Sequence, residues 1–158
     1  MPLLTLGEMT LRLTIALVLG GLMGLERELI GKQAGIRTAM LVSAGASIYT
    51  MISIDMPNIL HLAPGAPVLS DRIISNIVVG IGFLGAGIII KTGEQVKGLT
   101  TAALIWATAA VGTLVGLQLF SFAAVSALLM SGTLYFLRKG KLYERVHKLH
   151  PANGENGD

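Results

Sequence analysis

The chain has 158 residues, of which 53% are hydrophobic and 13% charged, and its mean hydropathy is +0.71. Soluble domains carry about twice that charged fraction, so the composition predicts a polytopic membrane protein and gives soluble enzymes little support. The formal net charge of +3 is too small to indicate a nucleic-acid partner, and a chain without cysteine forms neither a disulfide nor a thiolate metal site.

Five apolar segments predict an all-α bundle of transmembrane helices. The predicted spans are residues 11–25, 39–54, 73–90, 100–115 and 120–137. The first is short for a bilayer, and we expect Arg12 to extend it by reaching out to the interface. Residues 99–137 would be roughly 58 Å long as one helix, about twice the hydrocarbon thickness, so the chain must fold back near Gln118. The proline-containing segment 55–70 and the polar segment 91–98 are predicted as connections.

The basic residues predict the orientation of the bundle. All Lys and Arg except Arg12 and Arg72 fall in the first turn, the third turn or the tail, which five spans place on one side of the membrane. The positive-inside rule then puts the N-terminus outside and the C-terminus inside. Residues 1–137 are the predicted membrane bundle, and residues 138–158 a short basic cytoplasmic tail.

Glycines stand out in the third span. Residues 80–85, GIGFLG, match the G-x-G-x-x-G dinucleotide fingerprint, but they lie inside an apolar segment with no strand before them. Small residues in a membrane helix instead form a ridge that lets another helix approach. We therefore expect the third span to make the tightest contacts of the bundle, against the first or the fourth. The predicted helix-packing residues are Gly20, Gly24, Gly80, Gly82, Gly85, Ala86 and Gly87.

A charged cluster is predicted at the cytoplasmic ends of the spans. It comprises Glu26, Arg27, Glu28, Arg37 and Lys91, together with Thr100 and Thr101 at the start of the fourth span. The charged side chains are either interfacial anchors or a functional cluster, in which Glu26 would pair with Arg37. The two threonines are expected to cap the fourth helix, and the alternative is that they hold an anion there.

Asp71 and Asn76 are the candidate metal ligands, at the outer start of the third span. Their oxygens are of the kind that magnesium accepts, but Asp71 is also an ordinary helix N-cap that Arg72 can neutralise. Magnesium is the one cofactor that this pattern allows, and no resident cofactor is expected. The sequence has no nucleophile with a base and an orienting group, so we do not expect an enzyme.

Several motifs resemble the MgtC/SapB family of bacterial inner-membrane proteins. They are GLERE at 24–28, GIRT at 35–38, DRI at 71–73, GIGFLGAG at 80–87, GLTTAA at 98–103 and WATAA at 106–110. The resemblance implies a multi-pass inner-membrane protein linked to growth and survival under magnesium limitation, including virulence inside host cells. One branch of the family is described as restraining the F-type ATP synthase. Larger members carry a soluble C-terminal domain of the ACT type, which is not expected in a chain that ends at Asp158.

Two functional hypotheses follow. In the first, a non-catalytic protein docks its small-residue faces on the helices of another integral membrane protein, such as the ATP synthase, or on a second copy of itself. In the second, the protein is a small transporter or channel for magnesium or another divalent cation, with Asp71, Asn76 and Glu26 along its path. A further interpretation is signalling through a basic tail that holds anionic lipid.

Overall fold

The computed structural model describes residues 4–62, 70–93 and 95–139, with the backbone alone at 70, 71, 92 and 139. The elements are α1 (Leu6–Leu29), α2 (Ile36–Ile59), α3 (Ser70–Ile88), β1 (Ile90–Thr92), β2 (Gln95–Lys97), α4 (Leu99–Gly116) and α5 (Phe120–Lys139). Four of the helices, α1, α2, α4 and α5, are long and apolar enough to cross a membrane, and Arg72–Ile88 of α3 is a shorter apolar helix. The predicted all-α bundle is confirmed.

The helix α1 begins earlier than predicted because a capping box fixes its first turn. The Glu8 N–H donates to the Thr5 hydroxyl at 3.3 Å, and the Thr5 N–H donates to the Glu8 carboxylate at 2.8 Å. This reciprocal pair satisfies donors that a helix start otherwise leaves free. With 24 residues, α1 is about 36 Å long and needs no extension by Arg12 to cross the bilayer.

The two connections on either side of α3 differ from their predictions. The helix α2 continues to Ile59 and contains Pro57, so the segment predicted as a loop from residue 55 begins as helix. Pro57 removes one backbone donor, but because it lies in the last turn the disruption is confined to the end of the helix. The polar turn at 91–98 is an antiparallel hairpin, in which Ile90 is opposite Lys97.

The helix at the centre of the bundle is α2, which packs against α1 on one side and α4 on another. A Cβ built at Gly20 of α1 would lie 2.6 Å from the Ala39 carbonyl oxygen, and one at Gly116 of α4 would lie 2.6 Å from the Thr50 Cβ. The helix α3 lies at the edge, against α4 and α2. The expectation that the third span makes the tightest contacts is therefore wrong.

Two long-range contacts define the ends of the bundle. At the Arg12 end, the Arg12 guanidinium donates to the Gly116 carbonyl oxygen. At the Glu26 end, the Arg138 guanidinium lies 3.8 Å from the Glu26 carboxylate. The helices α4 and α5 reverse through Gln118, whose φ of +63° is left-handed, so the predicted fold-back is confirmed. The Leu119 N–H closes this turn by donating to the Leu114 carbonyl oxygen at 2.9 Å.

Candidate functional site at the Glu26 end and on α3

A buried ion pair lies at the Glu26 end. Both Nε and Nη2 of Arg27 lie 2.5 Å from Oε2 of Glu26, and each of the two side chains is only 8% exposed. Oε1 of Glu26 is buried and accepts no hydrogen bond from the described residues; Nη1 of Arg138, whose side chain is 54% exposed, lies 3.8 Å from it. Glu26 therefore links the last turn of α1 to the end of α5 and has one carboxylate oxygen left for a further donor.

The predicted pairing of Glu26 with Arg37 was wrong. Arg37 is exposed at the start of α2, and the ion pairs that the described residues form with Glu26 come from Arg27 and Arg138. Side chains one residue apart do not normally face each other on a helix, which is why the sequence did not favour the adjacent arginine. Arg27 reaches back to Glu26 at the last turn of α1, where the helix is about to end at Leu29.

The other residues predicted for this charged cluster occupy separate positions. The Glu28 carboxylate accepts the Ile36 N–H at 3.0 Å and so connects α1 to the first turn of α2. The N-cap of α4 is Gly98, with a φ of +90° and no side-chain hydrogen bond, so neither threonine caps this helix. Thr101 is buried and Thr100 exposed in its first turn, and Lys91 is exposed on β1.

The structure separates two of the three residues of the expected cation path. Asn76 is exposed on α3 toward the Arg12 end, whereas Glu26 is buried at the other end. The side chain of Asp71 lies outside the described residues. Within the described part of the chain, no group of three or more His, Asp or Glu side chains is placed to hold a metal ion.

The glycines predicted to pack fall into two sets. Gly20 and Gly24 lie against the backbone of α2, where a Cβ on Gly24 would be 2.7 Å from the Gly35 carbonyl oxygen. On α3, a Cβ on Gly80, Gly82 or Gly87 would have no described atom of another element within 4 Å. Gly85 has one ordinary neighbour, Ala102 at 3.7 Å, and Ala86 is exposed. Gly80, Gly82 and Gly87 therefore have no close neighbour within the described chain, whereas Gly85 faces α4.

A row of buried polar groups along α2 was not among the predicted site residues. Ser43, Ser47 and Thr50 are fully buried, and Arg12 is buried beside the end of α4. Arg12 does not reach the interface as expected; its Nη1 donates to the Gly116 carbonyl oxygen at 2.5 Å, at the negative end of the α4 dipole. The Oγ atoms of both serines and Nε of Arg12 have no hydrogen-bond partner among the described residues. The spacing of 43, 47 and 50, one helical turn at a time, was the available signal.

These features define a class of protein, an all-helical membrane bundle with an ion pair at one end and an open glycine-rich helix at its edge. The MgtC family model matches residues 13–142, and the chain belongs to the MgtC family.

Relatives in three bacteria are similar to the chain. Protein MgtC of Salmonella typhimurium strain LT2 is 37% identical over 145 residues, which is 92% of this chain and 58% of the relative. Protein MgtC of Brucella abortus strain 2308 is 44% identical over 123 residues, 78% of this chain and 48% of the relative. An uncharacterised Synechocystis protein is 45% identical over 123 residues, 78% of this chain and 49% of the relative. The chain thus spans about half the length of the relatives it matches, and no solved structure matches it.

Proposed function

We propose that this MgtC-family protein is a non-catalytic, multi-pass protein of the bacterial inner membrane that acts by docking the exposed face of α3 on the helices of another membrane complex or of a second copy. The observation that carries the proposal is the open space around Gly80, Gly82 and Gly87, beside Phe83, which is 81% exposed.

The glycines are informative because exposed apolar side chains alone are not. Lipid-facing helices expose Leu and Phe as a matter of course, so Phe83 by itself indicates no partner. Glycine costs about 1 kcal/mol relative to alanine inside a helix, and close packing offsets that cost at Gly20 and Gly112, where the backbone of α2 approaches. At Gly80, Gly82 and Gly87 of α3 the described residues do not pack closely enough to offset this cost, and a helix from another chain would do so.

We base the proposed partner and physiological role on the family resemblance. The MgtC/SapB resemblance associates the protein with adaptation to low magnesium and with survival inside host cells, and it makes the F-type ATP synthase the first candidate complex. Docking helix against helix requires no catalytic group, which agrees with a site made of glycines and a few charged side chains.

Purification in mild detergent tests the docking. Cells that express the wild type, Gly82→Leu or Gly132→Leu are compared, and proteins that copurify are identified. Gly132 of α5 is the matched control, because a Cβ there also meets no described atom within 4 Å. We expect the partner or the second copy to be lost with Gly82→Leu and kept with Gly132→Leu. Equal recovery from all three proteins would contradict the proposal.

A divalent-cation transporter is the second candidate, and the buried polar row on α2 favours it. Ser43 and Ser47 have oxygens without hydrogen-bond partners among the described residues, between Glu26 at one end of the bundle and Arg12 at the other. Polar groups at mid-membrane are typical of translocation paths. Protein-dependent magnesium flux into vesicles, reduced by Ser47→Ala or Asp71→Ala, would support it, and absence of flux from folded protein would exclude it.

A further inference from the structure

A groove of about 760 Å³ separates α2 from α3. It is bordered by aliphatic side chains of both helices and floored by small residues, and polar groups lie mainly at its ends. Its aliphatic residues include Leu41, Val42, Ile77, Ile81 and Leu84, and its small residues are Gly45, Ala46 and Gly80. Arg37 and Thr38 line it where α2 begins, at the Glu26 end of the bundle.

The groove has the depth of one lipid leaflet. Its α2 residues run from Arg37 to Tyr49, which at the rise of an α-helix is about 18 Å. One leaflet contributes about 15 Å to the hydrocarbon core. An acyl chain that enters at Arg37 would therefore lie against α2 for its full length before it meets the polar side chains of Tyr49 and Asn76.

The charge at the mouth of the groove is positive. Arg37 is exposed there, and Lys91 and Lys97 are exposed on the hairpin that connects α3 to α4 at the same end. Glu28, the acidic side chain that the described residues place beside the start of α2, accepts the Ile36 N–H. The planar guanidinium of Arg37 suits a phosphate, because its donors match two phosphate oxygens at once.

We propose that this groove binds an anionic phospholipid, with the phosphate at Arg37 and Thr38 and an acyl chain between α2 and α3. The inference goes beyond docking through α3, and it assigns the groove to a lipid even when no protein partner is bound.

Native mass spectrometry of delipidated protein tests the assignment, with phosphatidylglycerol or phosphatidylcholine added back. We expect preferential retention of phosphatidylglycerol. Arg37→Gln should lower that retention on the order of tenfold, the effect of one charge-assisted hydrogen-bonding group, and Arg37→Lys should lower it less. Gly45→Leu, which places a side chain in open space within the groove, should lower retention of both lipids.

Two matched variants control for charge and bulk. Lys32→Gln removes an exposed basic residue from the α1–α2 connection, and Gly132→Leu adds the same bulk on α5; both should retain phosphatidylglycerol like the wild type. Retention unchanged by Arg37→Gln and by Gly45→Leu would overturn the proposal. Loss of crosslinking between copies of the Gly45→Leu variant, with lipid retention intact, would also overturn the proposal, because the groove would then hold a second copy. Loss of protein partners with Gly82→Leu bears on docking alone, since Gly82 does not line the groove and Gly45 and Arg37 carry the lipid test.

Discussion

The close contact between α2 and α4 predicts that a side chain at Gly112 destabilises the fold. A Cβ at this position would overlap the Ser43 carbonyl oxygen and lie 2.8 Å from the Ser43 Cα. Both atoms belong to the backbone of the central helix, so no rotamer change relieves the contact and the helices must move apart. Gly112→Ala should therefore destabilise the fold, although alanine is the better helix former.

The magnitude comes from two opposing terms. Overpacking a well-packed core costs typically about 1–3 kcal/mol and occasionally more, and a rigid backbone neighbour puts Gly112 at the upper end of that range. Better helix propensity returns about 1 kcal/mol. The net expectation is a loss of about 2 kcal/mol in the free energy of unfolding.

Reversible unfolding in mixed micelles, followed by Trp106 fluorescence and helical circular dichroism, measures this difference. Gly132→Ala is the control, since its Cβ would meet nothing described within 4 Å, and it should be unchanged or slightly more stable. If Gly112→Ala is as stable as Gly132→Ala, the close approach of α4 to α2 is not present in the folded protein.

Four further substitutions can be measured in the same unfolding assay. Glu26→Gln should lower the free energy of unfolding by about 3 kcal/mol because it leaves the buried Arg27 guanidinium without its counter-charge. Arg138→Gln, at a half-exposed side chain, should lower it by less than about 1 kcal/mol, and equal losses from the two variants would contradict the buried pair. Gly98→Ala should cost at least about 1 kcal/mol, since φ is +90° and the Cβ would overlap the Ile88 carbonyl; an unchanged midpoint would show that the turn is wrong. Arg12→Met should lower stability by about 1–3 kcal/mol by leaving the Gly116 carbonyl without its donor, and a more stable variant would refute that role.

Much of the architecture could be predicted from the sequence, because an apolar run of membrane length has few alternatives to a helix. The reversal followed from the length of the apolar run, and its place followed from the polar side chain of Gln118. The early start of α1 could have been predicted too, since Thr5 and Glu8 have the spacing of a capping box. The order of packing could not, because hydrophobicity shows that a helix enters the membrane and not which neighbour it meets.

The glycines of the site show the same limit of prediction from sequence, which does not tell which neighbour a helix meets. Gly20 with Gly24, and Gly80 with its neighbours, give similar small-residue patterns, yet the first pair lies against α2 and the second set is open. The pattern reports that close approach is allowed, and the tertiary arrangement decides whether it occurs within the chain. The Glu26 to Arg27 pair was likewise hidden, because its geometry depends on where α1 ends.

The central claim is that the open face of α3 meets another protein, and photo-crosslinking in living cells tests it most directly. A photoreactive amino acid at Phe83 of α3 is compared with one at Leu129, a lipid-exposed position on α5, in cells grown with and without magnesium limitation. We predict that Phe83 yields a discrete crosslinked protein, a membrane-complex subunit or a second copy, and that Leu129 does not. Crosslinks to lipid alone at both positions would contradict the account.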